Sequence, residues 1–186
     1  MKIKLIFLDR DGVINEYPGD FKYVTGLRQF RILPNVKPAL EKLVSAGFRL
    51  YVVSNQAGVS KGLYTVDNLQ EMDRQMISLL GEKVRFSGIF YCTHRPEENC
   101  SCRKPKTGFI DKVFAEIKRS GDEIDRANSY FVGDSLIDIE TGQAAGLKTI
   151  LVFSGKEKPQ NQLKWGLIPD YKADDLASAA QIIISS

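Results

Sequence analysis

Histidine and cysteine are scarce in this 186-residue sequence, with one of the former, three of the latter and a single tryptophan. An odd cysteine number argues against a disulfide framework. No apolar stretch is long enough to cross a bilayer, and Met1-Lys2-Ile3-Lys4 passes directly into a short strand pattern where a signal peptide would need a longer apolar core. A cytoplasmic location, with no membrane partner, is expected. An excess of one charge is also missing. The 26 Lys and Arg are set against 23 Asp and Glu, net +3, and the basic residues are scattered among acids, so no nucleic-acid partner is expected. No internal repeat and no linker interrupts the chain. With 43% hydrophobic residues it can bury a core, and 1–186 reads as one domain.

What is present is an alternation of strand and helix patterns. Lys2 to Leu8 reads as a buried strand, Phe48 to Val53 as a second, about Gly88 to Cys92 as a third, Ser129 to Gly133 as a fourth and Lys148 to Phe153 as a fifth. Between them lie helical patterns. One opens at Pro34, carries Val36, Ala39, Leu40, Leu43 and Val44 on one face and stops at Gly47. Another begins at Thr65 with Leu69, Met72, Met76, Leu79 and Leu80 at helical spacing, a stripe that reads as core packing. Further helices are expected over Thr107 to Ser120, Leu136 to Ala145 and Asp174 to Ile184. Asn15 to Leu33 has no clean period and reads as an excursion over the mouth of a site, and Ser154 to Lys164 as a surface loop at most. Such alternation predicts an α/β fold with a parallel sheet and helices on both faces, whose ligands sit beyond the carboxyl ends of the strands.

The chemistry-bearing residues fall at those ends. Asp9 and Asp11 follow the first strand, and Gly12 lets the backbone turn; Asp and Gly are also ordinary turn formers. Ser54, Asn55 and Gln56 follow the second. Asp134 follows the fourth, with Asp138 four residues on; Asp134 could equally be a helix N-cap, but a further carboxylate at a strand end is also what a hard cation such as Mg2+ needs. The three cysteines and the only histidine converge as Cys92-x-His94 and Cys100-x-Cys102. Four soft or borderline ligands close a tetrahedral shell, the pattern of structural Zn2+, and such an ion would pin a loop with little core of its own. Arg103 and Lys104 follow directly, so that a cationic pair is aimed from the metal loop toward phosphate charge.

The set Asp9-x-Asp11, Ser54, Lys104 and Gly133-Asp134 with Asp138 resembles the haloacid dehalogenase (HAD) superfamily of phosphotransferases over nearly the whole chain. More narrowly, Phe7 to Asn15, Ser54 to Gly62 and the Cys92 to Pro105 loop resemble the zinc-loop phosphatases that act on D-glycero-D-manno-heptose 1,7-bisphosphate at the 7-phosphate; histidinol-phosphate phosphatases share the loop and stay open as the alternative. The resemblance implies a three-layer Rossmann-like HAD fold without a separate cap domain. It makes Asp9 the nucleophile that becomes an aspartyl phosphate and Asp11 the general acid and base. It assigns Mg2+ to Asp9, the Asp11 backbone carbonyl and Asp134, with Asp138 in support, the phosphoryl oxygens to Lys104 and Ser54, and substrate contacts to Asn55, Gln56 and Arg103. The lone histidine being a zinc ligand, acid and base are both carboxylates. The implied partner is a small phosphorylated sugar or metabolite, taken by a monomer. Two features depart from the heptose pattern: Ser135 stands where a basic residue is common, and His94 to Cys100 is short; Gly58-Val59-Ser60-Lys61-Gly62 favours it.

Two other classes compete. A non-enzymatic zinc-stabilised binding module predicts a concentrated basic surface at the zinc loop, where Glu97 and Glu98 oppose Arg95, Arg103, Lys104 and Lys106. A receiver-type protein would store phosphate on Asp9, and has no need of an acid at Asp11.

Overall fold

In the computed structural model, which describes residues 2–186, the chain forms one parallel sheet between two helical layers; the first residue of the expected domain lies outside the described residues. The strands are β1 (Lys2–Leu8), β2 (Phe48–Asn55), β3 (Phe86–Cys92), β4 (Glu123–Ile124), β5 (Tyr130–Gly133), β6 (Lys148–Val152) and β7 (Tyr171–Ala173). Their order is β3-β2-β1-β5-β6-β7, with β4 lying against the start of β1.

The buried strands read as apolar runs because both faces are covered. Along β1, Ile6 and Leu8 enter one core while Leu5 and Phe7 enter the other, and β2 divides Leu50 and Val52 from Tyr51 and Val53 in the same way. The first core is closed by α1 (Val36–Ser45), α2 (Val66–Leu80) and α5 (Leu176–Ser185), the second by α3 (Gly108–Arg119). On that second face lies α4 (Leu136–Ala144), whose Gly142 approaches Phe131 so closely that a Cβ there would strike it. The α2 stripe buries Leu69, Met72, Met76 and Leu80. Leu79 does not join it: it is half exposed, because it falls off the apolar face by one position.

Two strands beyond the five expected complete the sheet. β4 and β7 hold two and three residues, too few to show a period, and they pair only because β1 and β6 offer open edges. The last helix begins at Leu176 with Asp175 as its cap, accepting from the Ser178 amide at 2.8 Å. The Ser154 to Lys164 segment contains a short 3-10 helix, Pro159–Lys164, and its first residues are not bare surface. No helix among the described residues is long and apolar enough to cross a membrane.

The order of the strands places the site. From β1 the chain builds outward to β2 and β3, then returns to the opposite side of β1 to lay down β5. Leu8 pairs with Val52 on one side and with Val132 on the other. The carboxyl ends of these three central strands therefore emerge together at the crevice where the winding reverses.

Candidate active site

A cleft of about 270 Å³ opens at that crevice, and Asp9, Asp11, Ser54, Asn55, Arg103, Lys104, Asp134 and Asp138 all line it. Tyr17 to Tyr23 form its outer wall, as the excursion after β1 was expected to do.

Lys104 is the centre of the charge arrangement. It is almost wholly buried, with Nζ 2.6 Å from Asp138 Oδ1 and 3.0 Å from Asp9 Oδ1. Burial opposes its charge, yet Asp138 and then Asp9 outweigh that and hold its pKa above the ordinary lysine value. Burial also pushes Asp9 up to about 6, against the attraction of Lys104 and with repulsion from Asp138. Asp134 is raised well above the ordinary carboxylate value, by burial first and then by Asp138 and Asp9. Three carboxylates against one ammonium leave excess negative charge in a site of low dielectric, which raises their affinity for protons and equally for a bound cation.

One oxygen from each of Asp9, Asp134 and Asp138 lies within 4.8 Å of the others, an all-oxygen set that fits a hard divalent ion. Asp134 is not a helix cap. Ser135 takes that position on α4, and its amide and hydroxyl donate to Asp138 Oδ2 at 3.1 and 2.6 Å. Asp138 is thus held at both oxygens, by Lys104 and by the helix start. Asp134 Oδ2 accepts from the Lys156 amide at 2.7 Å, and Gly12 and Gly155 pack on the carboxylate so tightly that a Cβ on either would collide with it. The loop after β6, which shows no sequence pattern, thereby forms part of the site. Only its Gly and polar content could have hinted at a close approach.

The cysteine loop reaches the site through backbone. The Sγ atoms of Cys92, Cys100 and Cys102 are mutually 3.5 Å apart, and His94 Nδ1 lies 3.7 Å from Cys92 and 3.4 Å from Cys102. Sulfur ligands at about 2.3 Å from a tetrahedral zinc would be separated by roughly 3.8 Å, so the four atoms fit that ion. Burial drives the Cys92 thiol up to about 12; at Cys100 burial is outweighed by hydrogen bonds from Cys102 and Cys92, which bring it down to about 7. Asn55, the last residue of β2, clamps Lys104 at both backbone atoms: Nδ2 donates to its carbonyl and Oδ1 accepts from its amide, each at 3.1 Å. The Arg103 guanidinium donates to the His94 carbonyl at 3.2 Å, folding it back along the loop at the cleft edge.

Gln56 does not line the cleft. It is buried behind Asp11, and its amide is fully engaged: Nε2 donates to Asp11 Oδ2 at 3.0 Å and to Ser54 Oγ at 3.2 Å, and Oε1 accepts from Tyr64 at 2.6 Å. Its expected contact with substrate is therefore replaced by contact with Asp11. Arg10, which carried no expectation, is fully buried and grips Asp11 from the other side.

A HAD-hydrolase-like family model matches residues 101–179. D-glycero-D-manno-heptose-1,7-bisphosphate 7-phosphatase of Chlorobaculum tepidum is 35% identical over 95% of this chain and 92% of its own. The D-glycero-beta-D-manno-heptose-1,7-bisphosphate 7-phosphatase of Pseudomonas putida is 37% identical over 98% and 100%. Among solved structures, the D,D-heptose 1,7-bisphosphate phosphatase of B. bronchiseptica, complexed with magnesium and phosphate, superposes with a TM-score of 0.87 at 29% identity, covering 98% of this chain and 99% of that one. The non-enzymatic and receiver readings fall away: the chain belongs to the HAD-like phosphatases, in the family that includes the heptose 1,7-bisphosphate 7-phosphatases.

Proposed function

We propose that this chain removes the 7-phosphate of D-glycero-D-manno-heptose 1,7-bisphosphate by way of an aspartyl phosphate on Asp9. The observation that carries the reading is the meeting of Asp9, Asp134 and Asp138 around Lys104 in one cleft, in a chain that matches relatives of that name over most of their length.

Asp9 attacks phosphorus, and as its bond to phosphorus forms the bond to the sugar oxygen breaks. Asp11 gives its proton to the departing alkoxide. In the second half Asp11 accepts a proton from water, whose oxygen displaces Asp9 and frees inorganic phosphate. Lys104 and the Ser54 hydroxyl face the phosphoryl oxygens, where charge spreads in the transition state. Mg2+, when bound, neutralises that charge as a Lewis acid; Asp9, the Asp11 carbonyl and Asp134 would hold it. Asp138, held by Lys104 and by Ser135, supports the metal side of the site. Zn2+ on Cys92, His94, Cys100 and Cys102 would fix the loop from which Arg103 and Lys104 project. Asn55 orients Lys104, and Arg103 at the cleft edge is suited to the phosphate that is not cleaved.

The chain acts as a single domain, 1–186, with the Tyr17 to Tyr23 segment and Arg103 and Lys104 of the zinc loop framing the cleft that takes the sugar phosphate. The test is release of inorganic phosphate with Mg2+ and without it. Heptose 1,7-bisphosphate is expected to turn over with a kcat/KM at least about a hundredfold above histidinol phosphate, as a site built for a second phosphate rejects a ligand lacking it. Equal turnover of the two would remove the substrate assignment, and full activity of Asp9→Asn would remove the nucleophile.

A further inference from the structure

The most unusual side chain in the molecule is Arg10. Its guanidinium is completely buried, an uncommon position for arginine. Nε donates to Asp11 Oδ1 at 3.0 Å, and Nη2 lies 2.9 Å from Oδ1 and 3.2 Å from Oδ2. The pair joins adjacent residues, so unlike most buried ion pairs it ties no two elements of the fold together. What it fixes is the direction of one carboxylate.

The surroundings hold the guanidinium in that one place. Its central carbon lies 5.3 Å from the ring of Tyr91 on β3 and 6.0 Å from the ring of Phe30. Tyr91 is itself anchored, since its hydroxyl donates to Asp73 on α2. Nη1 is buried with no hydrogen-bond partner among the described residues. On the other side of Asp11, Asn15 Nδ2 donates to Oδ1 at 2.9 Å and Gln56 Nε2 to Oδ2 at 3.0 Å. Asn15 is wholly buried and Gln56 nearly so.

We propose that Arg10, fixed between Tyr91 and Phe30, is a positioning residue that sets the rotamer of Asp11 for proton transfer in both halves of the reaction. The inference rests on the role given to Asp11 above. Donors reach both carboxylate oxygens from three side chains, so the carboxylate is held at the cleft wall with its orientation defined before substrate arrives. Lysine, a point charge without the planar fork, preserves the charge and loses the orientation.

The proton that Asp11 gives away matters for an alkoxide leaving group and little for nitrophenolate, which leaves without one. Arg10→Lys and Tyr91→Phe are therefore compared with the unaltered enzyme on heptose 1,7-bisphosphate and on p-nitrophenyl phosphate, measuring the first turnover and the steady state. Arg10→Lys is expected to lower kcat on the sugar phosphate at least about tenfold, with KM within about threefold, since general acid catalysis contributes about 10²–10⁴. On p-nitrophenyl phosphate its first turnover stays near the original rate and is followed by a slow phase, because water attack on the phosphoenzyme still needs Asp11. Tyr91→Phe keeps the ring and should show the same pattern, about threefold in size, so that a variant at Arg10 that fails to fold leaves the test intact. Equal loss of the first-turnover rate on both substrates, or no change in either variant, overturns the positioning role. Asp11→Asn is run alongside: if it keeps sugar-phosphate turnover, the role of Asp11 itself is wrong, whereas an inactive Asp11→Asn beside unaffected Arg10→Lys and Tyr91→Phe removes only this inference.

Discussion

Lys104 shows how one side chain can be both structural and chemical. It is the single cation between two buried carboxylates, and deleting it leaves Asp9 and Asp138 facing each other with no counter-charge. Removing one partner of such a group costs about 3–5 kcal/mol, so Lys104→Met is expected to lower the melting temperature by several degrees as well as to abolish turnover. An inactive variant with an unchanged melting temperature would mean that the lysine contributes nothing to stability. Gly155 offers a milder probe. A methyl group there must push Asp134 aside, so Gly155→Ala is expected to raise the Mg2+ concentration for half-maximal activity at least about tenfold, the usual size of an effect passed to a metal through its supporting residues. Unaltered Mg2+ dependence would show that Asp134 is not a ligand. At this scale the acids and the cysteine–histidine cluster were legible as candidates: one Asp after an apolar run is as readily a turn residue or a cap, and it was the recurrence of such acids at two strand ends, beside a cluster of every cysteine with the only histidine, that set them apart. Arg10 was not legible: between two aspartates it reads as a solvated charge, and only the packing of Phe30 and Tyr91 over it reveals otherwise.

Among the elements, the zinc loop matters most, because it carries Lys104 into the site opposite the acids at the ends of β1 and β5. Asn55 at the end of β2 holds the far side of that loop by two hydrogen bonds, and zinc on the four soft ligands would hold the near side. Metal analysis of protein purified without chelator is expected to find one zinc per chain. Stripping it, or Cys100→Ser, should lower thermal stability and turnover together, since a loop without a core of its own depends on the ion for its shape. Activity that survives complete loss of zinc would contradict the coupling. The long elements were readable because their periods run over many residues, as in the Leu69, Met72, Met76 and Leu80 face of α2. β4 and β7 were not, being pairings that the sheet edges induce in segments too short to signal themselves.

The whole molecule is a device for bringing distant carboxylates together. Asp9 and Asp134 are 125 positions apart, yet β1 and β5 are neighbours, and parallel register sets their ends side by side. Strand alternation predicted the parallel sheet, and the place of ligands at its carboxyl edge followed. The register of Leu8 with Val132, and the return of the 154–156 loop onto Asp134, depend on long-range packing that no local pattern encodes. The most direct test of this convergence is a crystal structure with Mg2+ and beryllium trifluoride, a mimic of the phosphoryl group on an aspartate. The account predicts beryllium bonded to an Asp9 oxygen, Lys104 against its fluorines and Mg2+ between Asp9 and Asp134. Beryllium trifluoride on another residue, or Mg2+ bound away from Asp134, would contradict it.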